Sequence, residues 1–130
     1  MTIGQFSGKT GLPPSTLRYY EEKGLLIVRR DGGGRRVYDE GDLEWVRFLC
    51  RLKETGMSLR DIRRYAQLRY AGPGTMPERL VLLRAHRRYV LDQRNRWDEY
   101  LGNLDDKIAY YEGAVREGRR DGLKMQGGSI

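Results

Sequence analysis

The sequence predicts a mainly helical protein in which a small head carries one short β-hairpin and a long helix follows it. Signals for the start of a helix recur four times before residue 75, as three N-cap residues and one proline at a first helical position, and they predict the four helices of the head. A glycine run, Asp31-Gly32-Gly33-Gly34, interrupts them and allows the chain to reverse. From Leu80 onward, apolar residues are spaced alternately by three and four, as in a helix that packs along one face.

The head is expected to occupy residues 1–74. The predicted N-caps are Thr2, Asp39 and Ser58, whose side chains can accept hydrogen bonds from free backbone N–H groups. Pro14 suits the first position of the second helix, where its missing N–H is no loss. The third helix is apolar around most of its circumference, which predicts burial on two sides. The four helices are predicted over residues 3–9, 14–23, 39–54 and 58–70.

Two short strands, Leu25–Arg30 and Arg35–Tyr38, are predicted to flank the glycine run. Arginines lie on both sides of the reversal, so the hairpin presents positive charge. A helix beside an arginine-flanked ribbon is an arrangement with which proteins contact a DNA groove and the phosphates beside it.

The long helix is predicted over residues 75–117, and residues 118–130 are expected to form a flexible tail. Its heptad seam continues for five repeats, and nothing else in the chain could cover it, so we expect a second copy to do so in a coiled coil. Arg87 and Arg94 interrupt the seam, where polar residues commonly fix register. The expected dimer seam consists of Leu80, Leu83, Val90, Trp97, Leu101, Leu104, Ile108 and Tyr111, and Val115 continues it.

Composition narrows the class of protein. A net charge of +7 on 130 residues favours a polyanionic partner, nucleic acid first. No apolar run has the length of a membrane span and no signal peptide is recognisable, so we expect a bacterial-type cytoplasm, association with the nucleoid and no membrane partner. One cysteine and one histidine cannot build a metal site by themselves or a catalytic constellation, so no cofactor and no enzyme activity are expected.

Five motifs follow one another along the head: Ser15-Thr16-Leu17-Arg18-Tyr19-Tyr20-Glu21, Gly24-Leu25-Leu26, the glycine hairpin, Arg36-Val37-Tyr38 and Thr55-Gly56-Met57-Ser58-Leu59. Their order, followed by the long helix, resembles the MerR family of bacterial transcription regulators from Ile3 to about Glu112. The resemblance implies a homodimer with winged helix-turn-helix heads joined by an antiparallel coiled coil. It also implies binding to a promoter whose spacer is too long, and bending and untwisting of that DNA so that RNA polymerase engages both promoter elements.

Within that family the chain resembles the short branch with a single coiled coil, near the thiol- and aldehyde-responsive members, but it departs at the cysteine. The cysteine of that branch would fall at Arg51, whereas Cys50 lies on the apolar face of its helix. A buried thiol has a raised pKa and is inert, so we do not expect sensing through Cys50. Metal-sensing members carry several cysteines near the ends of the long helix, and this chain has none there.

The resemblance assigns DNA contacts to the second helix, to the hairpin and to a second wing, which consists of Lys53 and the backbone amides after Ser58. Arg18 can donate two hydrogen bonds to guanine, although a solvated surface role is the alternative. Tyr19 rather than Tyr20 is expected at the DNA, and packing is the more expected role of Tyr38. The expected DNA-binding residues are Thr2, Ser15, Thr16, Arg18, Tyr19, Arg30, Arg35, Arg36, Tyr38 and Lys53.

A response to a small molecule or a stress signal is expected, and the resemblance implies that a ligand binds where the second wing meets the long helix of the partner. The effector candidates are Tyr65, Tyr70, His86, Tyr89 and Trp97, although a structural role is the more common one for such residues. Two alternatives to a regulated promoter-binding dimer stay open. One is an architectural DNA-binding protein without an effector, and the other is a coiled-coil adaptor whose basic head is incidental.

Overall fold

The computed structural model describes residues 1–121 of the chain. Five helices and one two-stranded hairpin make up this part, which confirms the predicted fold class. The elements are α1 (Ile3–Thr10), α2 (Pro14–Glu22), β1 (Arg29–Arg30), β2 (Arg36–Val37), α3 (Glu40–Glu54), α4 (Leu59–Tyr70), a 3-10 turn (Pro73–Thr75) and α5 (Met76–Asp121).

The capping residues act as the sequence predicts. Thr2 and Asp39 each close a capping box, in which the side chain accepts from the backbone three residues on and the third residue's side chain accepts from the cap. Ser58 accepts from the backbone N–H of Asp61 at 3.1 Å. Pro13 precedes α2 without any side-chain cap, and Pro14 stands at the start of that helix. Local hydrogen bonding therefore sets where these helices begin.

The strands are shorter than predicted, because the residues before β1 join the core and not a ladder. Leu25 and Leu26 are buried, and the indole Nε1–H of Trp45 donates to the Leu25 carbonyl at 2.8 Å. Only Arg29 opposite Val37 and Arg30 opposite Arg36 pair in antiparallel register. The expectation of strands over residues 25–30 and 35–38 is corrected to two residues each.

The core of the head lies where α1, α2, α3 and α4 meet. Its centre consists of fully buried side chains, each of which stabilises the fold by about 1.5–3 kcal/mol relative to exposure. Tyr38 stacks on Phe6 with ring centroids 4.3 Å apart, and Trp45 stacks on Tyr65 at 5.6 Å. The largest fully buried side chains are Tyr38, Phe6, Leu17, Leu25, Leu26, Leu49, Ile62 and Val46.

The chain divides into two compact units, residues 1–90 and 91–130. Helix α5 begins at Met76, one residue later than expected, and continues through Asp121, four residues beyond the predicted end. The rest of the predicted tail, residues 122–130, lies outside the described residues. Among the described residues, no helix combines the length and the apolar character that a membrane crossing requires.

Candidate nucleic-acid interface

Helix α2 packs one face against the core and leaves the other, which carries Arg18, at the surface. Leu17 and Tyr20 are buried in the core, whereas Arg18 is exposed and Tyr19 is 41% exposed. Within residues 1–121, no salt bridge and no side-chain hydrogen bond holds Arg18. Its guanidinium is therefore free to donate to a base edge or a phosphate.

The other residues expected at the start of the head differ in how much surface they offer. Ser15 is exposed and Thr16 is half-buried on α2. Thr2 is exposed, but its hydroxyl already accepts from the Gln5 N–H at 3.1 Å. The Thr2 hydroxyl can still donate to a phosphate, since a hydroxyl has one donor in addition to its lone pairs.

The hairpin is a rigid basic wing, defined here as residues 29–37. The Asp31 carboxylate accepts from the backbone N–H groups of Gly33 and Arg35 at 2.9 and 3.0 Å, which fixes the turn from inside. Gly34 has φ +79°, a conformation that favours glycine. Arg35 is exposed, and Arg29 pairs with Asp39, the cap of α3.

Glu21 joins this wing to α2, and sequence reasoning gave it no role. One carboxylate oxygen accepts from Arg36 Nε at 2.8 Å and the other from an Arg30 Nη at 3.3 Å. The hydrogen bond to Glu21 raises the pKa of Arg36 above its ordinary value, at which an arginine is already charged. Two charged residues of the wing are therefore held against the helix that carries Arg18.

Tyr38, which the sequence analysis includes among the expected DNA contacts with packing as its more expected role, lies in the core. Only 1% of this residue is exposed, and its ring stacks on Phe6. Burial raises the pKa of its phenol, and the hydroxyl has no hydrogen-bond partner among the described residues. Because almost none of its surface is exposed, the Tyr38 side chain packs beneath the wing in this conformation.

The second wing offers one flexible cation and one helix N-terminus. Lys53 is exposed, and its ammonium lies 3.5 Å from the Tyr20 hydroxyl and 5.3 Å from the Tyr20 ring centroid. Burial raises the pKa of Tyr20 to about 12, so this phenol is neutral and does not neutralise the lysine. Arg63 Nε donates to the Lys23 carbonyl at 3.1 Å, which ties α4 to the end of α2.

The five effector candidates do not form one aromatic site. Tyr65 is buried against Trp45, and the Tyr70 hydroxyl accepts from the backbone N–H of Ile27 at 3.1 Å, so both brace the head. Trp97 is 70% exposed and makes an edge contact with Tyr100. Tertiary packing, which the sequence pattern does not reveal, gives the first two a structural role.

His86 and Tyr89 do come together, beside the turn between α3 and α4. Their rings stack at 6.0 Å, and His86 Nε2 lies 2.7 Å from the Thr55 hydroxyl. They line a cavity of about 240 Å³, which lies where the turn before α4 meets α5 of the same chain. Its lining residues are Gly56, Met57, Ser58, Asp61, Leu82, Ala85, His86 and Tyr89.

The described part of the chain forms no metal-binding cluster, and its cysteine is half-buried. No group of three or more His, Cys, Asp or Glu residues within residues 1–121 is arranged to hold a metal ion. Cys50 is half-buried beside Tyr20, and burial raises the pKa of its thiol. This placement agrees with the apolar position that the sequence predicts for Cys50.

The chain is similar in sequence to known transcription regulators. A model described as the MerR HTH family regulatory protein matches residues 1–68. An HTH-type transcriptional regulator of Haemophilus influenzae is 40% identical over 114 residues, which are 87% of this chain and 84% of that protein. The HTH-type transcriptional regulator AdhR of Bacillus subtilis is 36% identical over 93 residues, which are 71% of this chain and 66% of that protein.

Solved structures resemble the fold over most of its length. HiNmlR, a MerR family regulator that lacks the sensor domain and was solved bound to promoter DNA, is 39% identical with a TM-score of 0.78. That similarity covers 90% of this chain and 94% of HiNmlR. A putative MerR family transcriptional regulator of Listeria monocytogenes has a TM-score of 0.86 at 29% identity, covering 93% of this chain and 92% of that one.

Proposed function

The chain belongs to the MerR family of HTH transcription regulators, which are not enzymes, and from this premise we propose that it is a homodimer that binds a palindromic promoter operator. In this proposal it distorts the promoter to control transcription and affects RNA polymerase indirectly, through the geometry of the DNA. Its place of action is then the nucleoid, in the cytoplasm.

One observation carries the DNA-binding proposal: the helix that carries the unpaired arginine and the basic wing are joined through Glu21. Arg18 and Glu21 are one helical turn apart on α2, and Glu21 holds Arg36 and Arg30 of the wing. A helix with an unpaired arginine can enter a major groove while a wing at its side reaches the backbone. The similarity to HiNmlR, solved on promoter DNA, supports the same arrangement.

The dimer is supported by apolar surface on α5 that residues 1–121 leave uncovered. Leu101, Leu104 and Ile108 are 57%, 61% and 52% exposed, and their spacing follows the heptad seam. An apolar groove of about 510 Å³ runs along the same helix. Its lining residues are Leu104, Lys107, Ile108, Tyr111, Glu112, Val115, Arg116 and Arg119. A second copy of the helix supplies the apolar face that such a groove requires.

The palindrome follows from the proposed symmetry. A homodimer with a two-fold axis presents the same basic surface twice, so it reads the same half-site twice in opposite directions. In the proposed mechanism the protein makes no direct contact with RNA polymerase. The distortion of the DNA between the half-sites is therefore what changes transcription.

The control of this output has two candidate forms. In the first, a small molecule binds the 240 Å³ cavity and shifts the turn between α3 and α4; this volume is below the usual range for drug-sized ligands, so only a small ligand would fit. In the second, no effector exists and the protein is architectural. The similarity to HiNmlR, a regulator that lacks the sensor domain, favours the second form. Promoter output measured over a panel of inducers separates them, since an unchanged output supports the architectural form.

The DNA-binding proposal is tested by a mobility-shift assay on the region upstream of the gene. The double variant R18A/R36A should lose sequence-selective binding. The matched control R84A/R96A removes the same charge from exposed positions of α5 and should bind nearly as the wild type does. Selective binding retained by R18A/R36A would favour an adaptor whose basic head is incidental.

The dimer is tested separately by light scattering. Leu104→Asp places a charge in the lining of the apolar groove, and monomers that hold one half-site poorly are the expected result. A Leu104→Asp protein that stays a stable dimer would refute the proposed seam.

A further inference from the structure

The link between α2 and the wing rests on a single carboxylate. Both oxygens of Glu21 are used, one by Arg36 and one by Arg30. The Glu21 and Arg36 side chains are only 25% and 26% exposed, so water weakens this pair less than an ordinary surface ion pair. The Arg30 side chain is 46% exposed and its contact is longer, at 3.3 Å, so this second contact is the weaker of the two.

This contact orients Arg36 but leaves some of its N–H donors available. Glu21 engages its Nε–H, and the two Nη groups of the same planar guanidinium remain as donors. Because the guanidinium is a rigid fork, fixing the Nε–H fixes the direction in which the Nη–H groups point. The contact therefore presets a phosphate-binding geometry before DNA arrives.

Arg30 is held at both ends of its fork. One Nη donates to the Gly34 carbonyl at 2.9 Å, inside the wing, and the other donates to Glu21 on α2. While both contacts persist, this arginine is partly neutralised and is a poor ligand for an arbitrary phosphate. The carboxylate thus limits the number of cations that the free head offers to DNA of any sequence.

We propose that Glu21 is a positioning residue that clamps the wing to α2, sets the orientation of Arg36 and restrains Arg30 from non-selective phosphate contacts. The DNA-binding consequence rests on the proposed function, whereas the clamp itself is a property of the free protein. No base contact by Glu21 is required. Its contribution to selectivity comes from holding the wing arginines at one distance from the helix that carries Arg18.

The test uses the full chain and compares Glu21→Gln with Glu22→Gln. Both substitutions remove one negative charge from neighbouring positions of α2, but Glu22 is exposed and makes no ion pair within residues 1–121. The comparison therefore cancels the general effect of charge and leaves the effect of the clamp. Glutamine keeps the size of the side chain, so the fold of the head should survive.

The first measurement is amide hydrogen exchange of the free protein. In Glu21→Gln, the amides of residues 29–37 should exchange faster than in the wild type and in Glu22→Gln, while the amides of α3 stay protected and show that the head is folded. Unchanged exchange in the wing would overturn the clamp, whatever the DNA measurements give.

The second measurement is affinity for the operator and for random duplex DNA over a series of salt concentrations. For Glu21→Gln, the operator-to-random affinity ratio should fall about twofold to fivefold relative to Glu22→Gln, as expected from one partly exposed ion pair. The salt slope on random DNA should steepen by about 0.9, the value for one additional phosphate contact. If the two variants agree in the ratio or in the slope, the positioning role is overturned. If the wild type itself shows no selectivity, the proposed function fails instead, and hydrogen exchange still decides the clamp.

Discussion

Replacing Gly56 by alanine tests how the turn between α3 and α4 is packed against the start of α5. Gly56 has φ +90°, in the left-handed region that L-residues rarely adopt. An added Cβ would also lie 2.9 Å from Tyr89 Cε1 and 3.0 Å from the Tyr89 hydroxyl oxygen. The substitution therefore combines a backbone cost with a steric one.

The two costs can be separated by a second glycine. Gly11 has φ +74°, but nothing lies within 4 Å of a Cβ added there. Gly11→Ala should therefore cost only the backbone term, about 1–2 kcal/mol. Gly56→Ala should cost about 1 kcal/mol more, the lower end of the range for overpacking, since Tyr89 is 43% exposed and its ring can move. The expected loss for Gly56→Ala is then about 2–3 kcal/mol.

The assay is urea unfolding at one fixed protein concentration, because dimerisation contributes to stability. A double-mutant cycle of Gly56→Ala with Tyr89→Ala should show a coupling of about 1 kcal/mol, as removal of the ring relieves the clash. A Gly56→Ala protein no less stable than Gly11→Ala, or a cycle without coupling, would refute the reasoning.

Three further predictions concern DNA contact, the thiol and acid stability. Arg18→Ala should lose about 1–3 kcal/mol of base discrimination per half-site, whereas Lys53→Ala should weaken operator and random DNA alike and flatten the salt slope by about one; equal losses on both DNAs from both variants would contradict the assignment. Cys50 should react with iodoacetamide at least about tenfold more slowly than in the urea-unfolded chain, because burial raises the pKa of its thiol; equal rates would contradict this. Asp39→Ala should cost about 1 kcal/mol at neutral pH. The Asp42 backbone N–H and Arg29 lower the pKa of Asp39 below 3.8. The stability that the Asp39 carboxylate contributes is therefore present above pH 3.8 and is lost as the pH falls through the lowered pKa. An effect of Asp39→Ala on stability that does not shrink in acid would argue against this assignment.

Local signals in the sequence were enough to predict the helices, because the groups that start them are neighbours in the chain. Thr2, Asp39 and Ser58 each bond to an amide three residues away. The strands were predicted too long because Leu25 and Leu26 have the apolar, extended character of a strand but are used by the core. Periodicity does not distinguish these two uses of an apolar pair.

The sequence predicts the surface arginines of the candidate site but not the residues with which they form ion pairs. The motif around Arg18 consists of consecutive residues and can be read from the sequence. The two arginines that Glu21 contacts, Arg30 and Arg36, lie 9 and 15 residues away, on the two strands of the hairpin. Tyr65, Tyr70 and Tyr89 are all tyrosines, so residue type does not tell them apart. Tertiary packing does, because Tyr65 and Tyr70 brace the head whereas Tyr89 lines a cavity. A pattern of residue types cannot supply distances between segments.

Footprinting of the wild-type protein on its own upstream region tests the central claim most directly. The account predicts protection of two half-sites in inverted orientation, across an overlong promoter spacer, with a hypersensitive position at the centre where the duplex is distorted. A footprint over one half-site, or one without the central hypersensitivity, would contradict it.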